Sequence, residues 1–539
     1  MTGDLPTSTT LRWLVPSVRD LVFIFLFWSL LAGPLSNRPL ADADIGWHIR
    51  TGELILASHN LPRTDPFSST MQGQAWFAWE WLYDVLLVSL HTAGGLNGVV
   101  WLCALLIAFV LTFLLWQLLE RGTGLVLAVV LMLLSTAVSA IHLFARPHIA
   151  SWIFTLLWFT QLERWEQWDR STQGRLPRWI PCFFPVSMVL WVNVHGGWLL
   201  GMSLLAIYAS AALIEALRDK DAFQKICNAR RARDMALAFT SSALATLVNP
   251  FGWRLHAHIY SYLTDRYLIN RIDEFRSPNF HGWAERAFVV ILVLLLVALS
   301  SGDSRTSGSK LRPSSLFVVL LSVYTGFFSA RNLPTSSMLL VLIAGPMLWR
   351  SVVSLANRAG AWRWLRAFSL RLVNSSDRLG RLELQLRGHV WPVMAVLFGL
   401  IITLHGGWLG RTRLVHADFD PNKVPVEALN FLQSHSESTH DSAGSLFSMD
   451  TWGGYLIYRL YPQRKVAMDD RHDLYGSDRV REYLIFMQGE SGWRDTLRKW
   501  NFQTAILPSN STSANLLREL PQEWKTVYED KVAVVLVRR

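Results

Sequence analysis

The sequence predicts an all-α polytopic membrane domain of about eleven transmembrane helices, followed by a C-terminal α/β extracytoplasmic domain. Three observations carry that prediction. Apolar runs of about 17 to 23 residues recur through the first 407 positions, and about 20 such residues take a helix across about 30 Å of hydrocarbon. Only 17% of the 539 residues are Asp, Glu, Lys or Arg, against about 25% in soluble domains. After residue 410 the composition turns polar, with short apolar runs alternating with helical stretches. A soluble multidomain protein is excluded by the runs.

The spans are expected at 20–36, 97–119, 123–143, 148–162, 179–195, 198–216, 235–249, 285–301, 314–330, 335–349 and 389–407. The first lacks a small-x-small cleavage site and is followed by Gly33-Pro34 and a long loop, so it reads as an uncleaved span. The run 76–94 carries Glu80 and Asp84 near its start and reads as an interfacial helix. With a cytoplasmic N-terminus, the inner loops are 120–122, 163–178, 217–234, 302–313 and 350–388, with twenty-two Lys and Arg. The outer loops 37–75, 144–147, 196–197, 250–284 and 331–334 hold nine. Enrichment of Lys and Arg in short loops marks the cytoplasmic side. Counting 76–94 as a twelfth span would invert every later loop and oppose that bias.

The same tally explains the net charge of +11. The five inner loops sum to +12, and residues 411–539 hold seventeen basic and seventeen acidic residues. The excess is therefore a topology signal and not a nucleic-acid footprint. Loop 350–388 has eight arginines, no lysine, and Trp362, Trp364 and Phe368 among them. It is either an amphipathic helix resting on anionic headgroups or a solvated basic loop. The three cysteines, Cys103, Cys182 and Cys227, have no metal spacing, and none lies beyond residue 410.

Two domains follow: 1–410, transmembrane, with a first outer loop at 37–96; and 411–539, extracytoplasmic. In the second, strands are expected at Ser445–Met449, Lys465–Met468, Gln503–Leu507 and Val532–Val537. Helices are expected at Val424–Gln433, Tyr455–Tyr461, Arg479–Met487 and Asn515–Leu520.

Unusual polar residues collect on the outer side, in separate segments. The first is Asp42-Ala43-Asp44-Ile45-Gly46-Trp47-His48. In a loop, both carboxylates can face one site, where they would take a proton from an attacking hydroxyl or share a divalent cation. The alternative is a solvated helix-capping pair. The second is Trp76-Phe77-Ala78-Trp79-Glu80-Trp81-Leu82-Tyr83-Asp84. On a helix Glu80 and Asp84 share a face, looking into a cavity or, equally, into water at an aromatic belt. The third and fourth are Arg146-Pro147-His148 and Asn193-Val194-His195-Gly196-Gly197, at turns between spans. Ionisable groups near membrane depth are costly and usually functional. The fifth is Arg331-Asn332, with Asn249 and Glu274 in the preceding outer loop. An arginine at the lipid–water boundary suits bidentate binding of phosphate, and equally suits pairing with an acid. Beyond residue 410, Trp452-Gly453-Gly454-Tyr455 and Asp469-Asp470-Arg471-His472-Asp473 are acceptor-contact candidates, with a helix packing turn and a charged strand end as the alternative.

On these residues the sequence resembles the polytopic GT-C glycosyltransferase superfamily, which includes protein mannosyltransferases, aminoarabinose transferases and oligosaccharyltransferases. The resemblance rests on Asp42-Ala43-Asp44 in a long first loop, flanking juxtamembrane helices (Gly46–Ala57 and Trp76–Ser89), Glu80, and the outer C-terminal domain with Asp450-Thr451-Trp452-Gly453-Gly454-Tyr455 and Asp469-Asp470-Arg471. It is most similar to a bacterial branch carrying Asp-x-Asp-x-x-Trp-His, Glu-Trp-Leu, Arg-Pro-His and Asn-x-His-Gly-Gly elements in this order. The tandem Asp-Glu pair of the mannosyltransferases and the Trp-Trp-Asp motif of the oligosaccharyltransferases are absent.

The resemblance implies an integral protein of the bacterial inner membrane that transfers a sugar from a polyprenyl-phosphate donor to a glycan, lipid or protein acceptor on the outer face. Asp42 or Asp44 would be the base and Glu80 a supporting acid. Arg331, with Arg146 or His195, would bind the phosphate, and His48, Asp84, His148, Asn193, Asn249, Glu274 and Asn332 would line the substrate site. A divalent cation, Mg or Mn, would sit on Asp42 and Asp44 if anywhere. A transporter or flippase, or a non-catalytic assembly protein for lipid-linked glycans, is the alternative. Against the transporter, polar residues sit at the outer ends of otherwise uncharged spans and not at mid-membrane.

Overall fold

The computed structural model describes residues 13–172, 179–300, 311–358, 360, 362–435 and 445–539. The predicted cytoplasmic N-terminal residues 1–12, and parts of two predicted inner loops at 173–178 and 301–310, lie outside the described residues. Each predicted apolar segment coincides with a helix. Among the described residues, five helices are long and apolar enough to cross a membrane: Trp81–Glu120, Leu125–His142, Trp198–Arg218, Trp283–Ser300 and Ala330–Asn357. A sixth is added if the pair Arg363–Gln385 and Val390–Leu404, bent by 72°, is one span. Eleven crossings are not reached on that test. Helices Trp179–Val194 and Pro313–Phe328 are shorter apolar ones. Val18–Leu31 and Val390–Leu404 are also short, with 14 and 15 residues.

Local chemistry sets the helix ends. Helix Val18–Leu31 opens with a capping box, Ser17 Oγ accepting from the Asp20 amide and Asp20 from the Ser17 amide at 2.8 Å. Such a box satisfies two of the free amides of a first turn. The predicted interfacial helix begins at Trp81 and not at Trp76; residues 76–80 are irregular, and Glu80 stands immediately before the helix. That helix runs to Glu120 with one break at Gly95, whose φ of 60° and ψ of −149° no side-chain-bearing residue adopts readily. Residues 81–94 and 96–120 are therefore two rods meeting at a glycine. The predicted loop 217–234 is helical from Ala222, and Arg231 pairs with Glu215 of the preceding helix.

Beyond residue 410 four strands form one sheet in the order Leu446–Ser448, Thr504–Pro508, Ala533–Arg538, Trp524–Glu529. The first pair is parallel and the other two antiparallel. Three of the four predicted strands are found. The fourth, Lys465–Met468, forms only isolated bridges, from Val466 to Leu446 and to Ser68. Strand Trp524–Glu529 and helix Trp493–Trp500 were not expected. Strand Trp524–Glu529 lies at the sheet edge, where Lys525 and Glu529 face water.

Those bridges join distant parts of the chain. The Ser69 amide donates to the Val466 carbonyl at 2.8 Å, and the Val466 amide to Phe67 at 3.3 Å. Helix Asp450–Leu460 packs on helix Ile45–Ser58, and the two meet glycine to glycine. A Cβ on Gly46 would overlap the Gly454 carbonyl, and one on Gly454 would overlap the Ala43 carbonyl. The loop after the first helix and the C-terminal segment are thus one packed unit.

Candidate active site

Asp44 is the residue before helix Ile45–Ser58, and its carboxylate is 2% exposed. A turn holds it, because the Asp44 amide donates to Asp42 Oδ1 at 3.1 Å. Both acids face Arg146, on the turn before helix His148–Thr172. Arg146 Nη1 reaches Asp42 Oδ2 at 2.8 Å and Glu274 Oε1 at 3.0 Å, and Nη2 reaches Asp44 Oδ2 at 2.9 Å. One guanidinium therefore gathers three carboxylates from two loops distant in sequence.

The C-terminal segment adds a fourth acid. Oxygens of Asp42, Asp44 and Asp470 lie within 4.8 Å of one another. Asp44 Oδ1 and Asp470 Oδ1 are buried with no donor opposite either. Burial, then the Asp42 charge, push the Asp44 carboxyl up to about 6, against the pull of Arg146. Burial and the Asp44 charge hold Asp470 well above the usual carboxylate range. Burial and mutual repulsion thus oppose the ionisation of Asp44 and Asp470 together. Glu274 goes the other way: burial alone would raise it, but Arg146 and Arg331 hold it well below its ordinary value.

Glu80 stands between two histidines. Its Oε2 is 3.8 Å from His48 Nε2 and its Oε1 is 3.6 Å from His195 Nε2. Burial pushes it up to about 8, despite Arg331 and Arg146. His48, fully buried, is fixed by Asp84 at 2.6 Å on its other nitrogen. His48 and Asp84 therefore form a chain behind Glu80. His48 lines none of the three cavities at the site and stands behind Glu80.

His195 has a readable tautomer. The Gly197 amide donates to Nδ1 at 3.0 Å, and Ser151 Oγ, itself taking the Trp191 indole N–H at 2.7 Å, is 2.8 Å from the same nitrogen. Nδ1 is the acceptor, so Nε2 carries the proton. Burial, then Arg331, hold the imidazole well below its usual pKa, keeping it neutral. Nε2 lies 3.2 Å from Arg331 Nη2. Among the described residues, no acceptor lies at hydrogen-bonding distance between these two N–H donors, the carboxylates nearest them being Glu80 at 3.6 Å from His195 Nε2 and Glu274 beside Arg331. Arg331 reaches Glu274 only at 3.7 Å.

Three cavities meet here. One of about 230 Å³ is largely apolar, walled by Trp79, Trp152, Leu199, Leu200, Ile259 and Phe275, and ends at Glu80, His195 and Arg331; His148 and Asn332 also line it. One of about 500 Å³ lies between the first loop and the C-terminal segment, against Asp42, Asp44, Arg146, Trp452, Asp470 and His472. A third of about 80 Å³ lies between Asp44, Trp76, Glu80, Arg331 and Asp470. Arg331 and Tyr262 line all three.

Four expected site residues lie elsewhere or do structural work. Asn193 takes the Trp81 indole N–H at 2.8 Å and donates to the Val189 and Val248 carbonyls, so its amide is spent on the scaffold. Asn249 closes its own turn onto Thr246 and Phe251. Tyr455 packs on Phe419 and accepts from Arg459. Arg471 is a buried clamp: it pairs with Asp469 and Asp65 at 2.7 and 2.9 Å and stacks 4.7 Å over the Trp76 ring, although it also edges the smallest cavity. Tyr262 is not among the expected site residues, whereas Asp470 and His472 belong to the run 469–473 expected to touch an acceptor or to form a charged strand end. Asp470 and His472 lay inside a charged run, and only the tertiary fold brings them to Asp44.

No protein-family model matches the sequence, and no curated protein matches it. Among solved structures, the chain is similar to the apo oligosaccharyltransferase of Archaeoglobus fulgidus. That match has 11% identity and a TM-score of 0.53, and covers 91% of this chain and 69% of that one. It is also similar to the same enzyme tethered to an acceptor peptide. Here identity is 10% and the TM-score 0.52, with 90% of this chain and 68% of that one covered.

Proposed function

Given that the chain has a GT-C-like fold, we propose that it is a membrane glycosyltransferase that moves a sugar from a polyprenyl-phosphate donor to an acceptor on the outer face. The observation that carries this reading is the convergence of an apolar cavity ending in paired N–H donors with a cavity holding a buried acid cluster. The donor's polyprenyl chain lies along Trp152, Leu199, Leu200 and Ile259, and its phosphate accepts from Arg331 and His195 Nε2–H. Protonated Glu80 adds a neutral donor beside the phosphate, where an ionised carboxylate would repel it.

The acceptor hydroxyl enters from the larger cavity. Asp44 takes its proton while the acceptor oxygen bonds to the anomeric carbon and the anomeric carbon–phosphate oxygen bond breaks. The polyprenyl phosphate leaves as the anion, held by the two N–H donors. A base with a pKa near the working pH combines the right ionisation with useful basicity, and the raised Asp44 meets that requirement better than Asp42, whose two oxygens are already engaged by the Asp44 amide and Arg146. Donors fixed in a dry site stabilise a leaving anion by several kcal/mol.

Asp42, Asp44 and Asp470 also fit a divalent cation such as Mg or Mn, by their hard oxygens and the two carboxylate atoms without donors. When bound there, such an ion would offset the charge gathered around the acceptor. The site belongs to the extracytoplasmic side, with the protein in the bacterial inner membrane, its N-terminus cytoplasmic, and residues 411–539 an extracytoplasmic domain. The test is sugar transfer from a synthetic polyprenyl-phosphate sugar by the purified protein in nanodiscs. Asp44→Asn should lower kcat by about 10²- to 10⁴-fold with little change in expression. Undiminished transfer by Asp42→Asn/Asp44→Asn would sink the assignment.

A further inference from the structure

Helix Arg363–Gln385 is not used by the chemistry above. It follows helix Leu333–Asn357, which starts beside Arg331 and, at 25 residues, extends about 37 Å away from it. The helix therefore lies at the end of the bundle opposite the candidate site. Its packed face is narrow: Ser369, Ser376 and Glu383 are buried, Ser376 Oγ accepting from the Val126 amide at 3.2 Å and Glu383 holding Arg19 and the Val18 amide.

Beside this packed face run two stripes. At 100° per residue, Trp364, Phe368, Leu372, Leu379 and Leu382 fall on one flank. Arg371 and Arg378 begin at the edge of that flank, about 20° and 40° from Trp364, and Arg363 and Arg381 lie about 100° from it, each arginine one residue before an apolar stripe member. Trp364 is 63% and Phe368 61% exposed. Among the described residues, no ion pair occupies these four arginines. The following apolar helix, Val390–Leu404, is bent 72° away. With that helix crossing the bilayer, Arg363–Gln385 runs along the bilayer surface.

We propose that helix Arg363–Gln385 is a membrane-surface helix that binds anionic phospholipid headgroups through Arg363, Arg371, Arg378 and Arg381, with Trp364 and Phe368 seated at the acyl boundary. An apolar stripe flanked by cations is the arrangement that rests in a lipid interface. Charge complementarity selects anionic lipid, and continuity with a membrane-crossing helix selects a bilayer over a soluble partner. A soluble acidic protein would cover the arginines and leave the aromatics in water.

Two measurements test this in nanodiscs of equal parts phosphatidylcholine and phosphatidylglycerol. A nitroxide on Phe368→Cys, in a Cys182→Ser/Cys227→Ser background, should be shielded from a water-soluble relaxation agent and open to oxygen. Enrichment of phosphatidylglycerol around the protein should fall roughly five-fold for each arginine changed to Gln among Arg371, Arg378 and Arg381. It should persist in the matching Lys variants, which keep the charge and separate lost binding from lost folding. Full water access at position 368 overturns the proposal, as does unchanged lipid enrichment in the Gln variants, or protection at 368 that needs an added soluble protein.

Discussion

Arg146 carries Asp42, Asp44 and Glu274 on one guanidinium, so its loss would leave three carboxylates crowded in a dry pocket. Breaking such a buried pairing costs about 3–5 kcal/mol. Arg146→Met should accordingly lower the thermal midpoint markedly, whereas Arg331→Met should leave it nearly unchanged and weaken donor binding, read as a raised KM. Asp44 and Glu80 set opposite limbs of the pH profile. Asp44, pushed up to about 6, must be ionised to accept a proton, so kcat/KM should rise through about pH 6. Glu80, pushed up to about 8, must keep its proton to sit beside a phosphate, so kcat/KM should fall through about pH 8. Glu80→Gln, neutral at every pH, should keep the acid limb and lose the alkaline one; an unaltered alkaline limb would show that another group sets it. Asp42, Asp44, Glu80, Arg146, His195 and Arg331 were legible in the sequence because charge next to an apolar run is conspicuous. Asn193 and Asn249 looked alike by that criterion, but an amide that satisfies backbone groups cannot be told from one that meets a ligand until its partners are known.

At the scale of elements, the apolar helices were legible because each apolar run stands out alone. The limits of that signal show at residues 76–80, where four apolar or aromatic residues before Trp81 looked helical and form an irregular lead-in that brings Trp79 and Glu80 into the cavities. They show again at Lys465–Met468, whose strand-like pattern is used only for bridges to Ser68 and Leu446. The glycine-to-glycine crossing of helices Ile45–Ser58 and Asp450–Leu460 had no visible signal, since it depends on two positions 408 residues apart. It also sets the height of Asp44. Gly454→Ala would drive a methyl group against the Ala43 carbonyl and the Asp44 Cα, costing about 1–3 kcal/mol by overpacking. Moving a reacting group by about 1 Å costs of order 10²-fold in rate, so transfer by Gly454→Ala should drop far more than its stability, compared by kcat and thermal midpoint on one preparation.

Across the whole molecule, residues 66–70 and 411–539 are bound by sheet bridges, by the Asp65–Arg471 pair and by Asp470 beside Asp44. Amides of Ser69 and Val466 should exchange slowly together, and Arg471→Ala should release both, seen by hydrogen exchange. Protection of one without the other would show that the two segments open independently. The site's acids come from positions 42, 44 and 470, which has a consequence for how the protein is made. When a ribosome has threaded the last apolar helix into the membrane, the pocket proposed for the lipid phosphate can already close around Arg331, His195 and Glu80, but the cluster of Asp42, Asp44 and Asp470 lacks its third member. On the proposed function, a chain lacking its last quarter can thus hold a lipid phosphate without its complete acid cluster, which forms only once that quarter has folded back over the first loop.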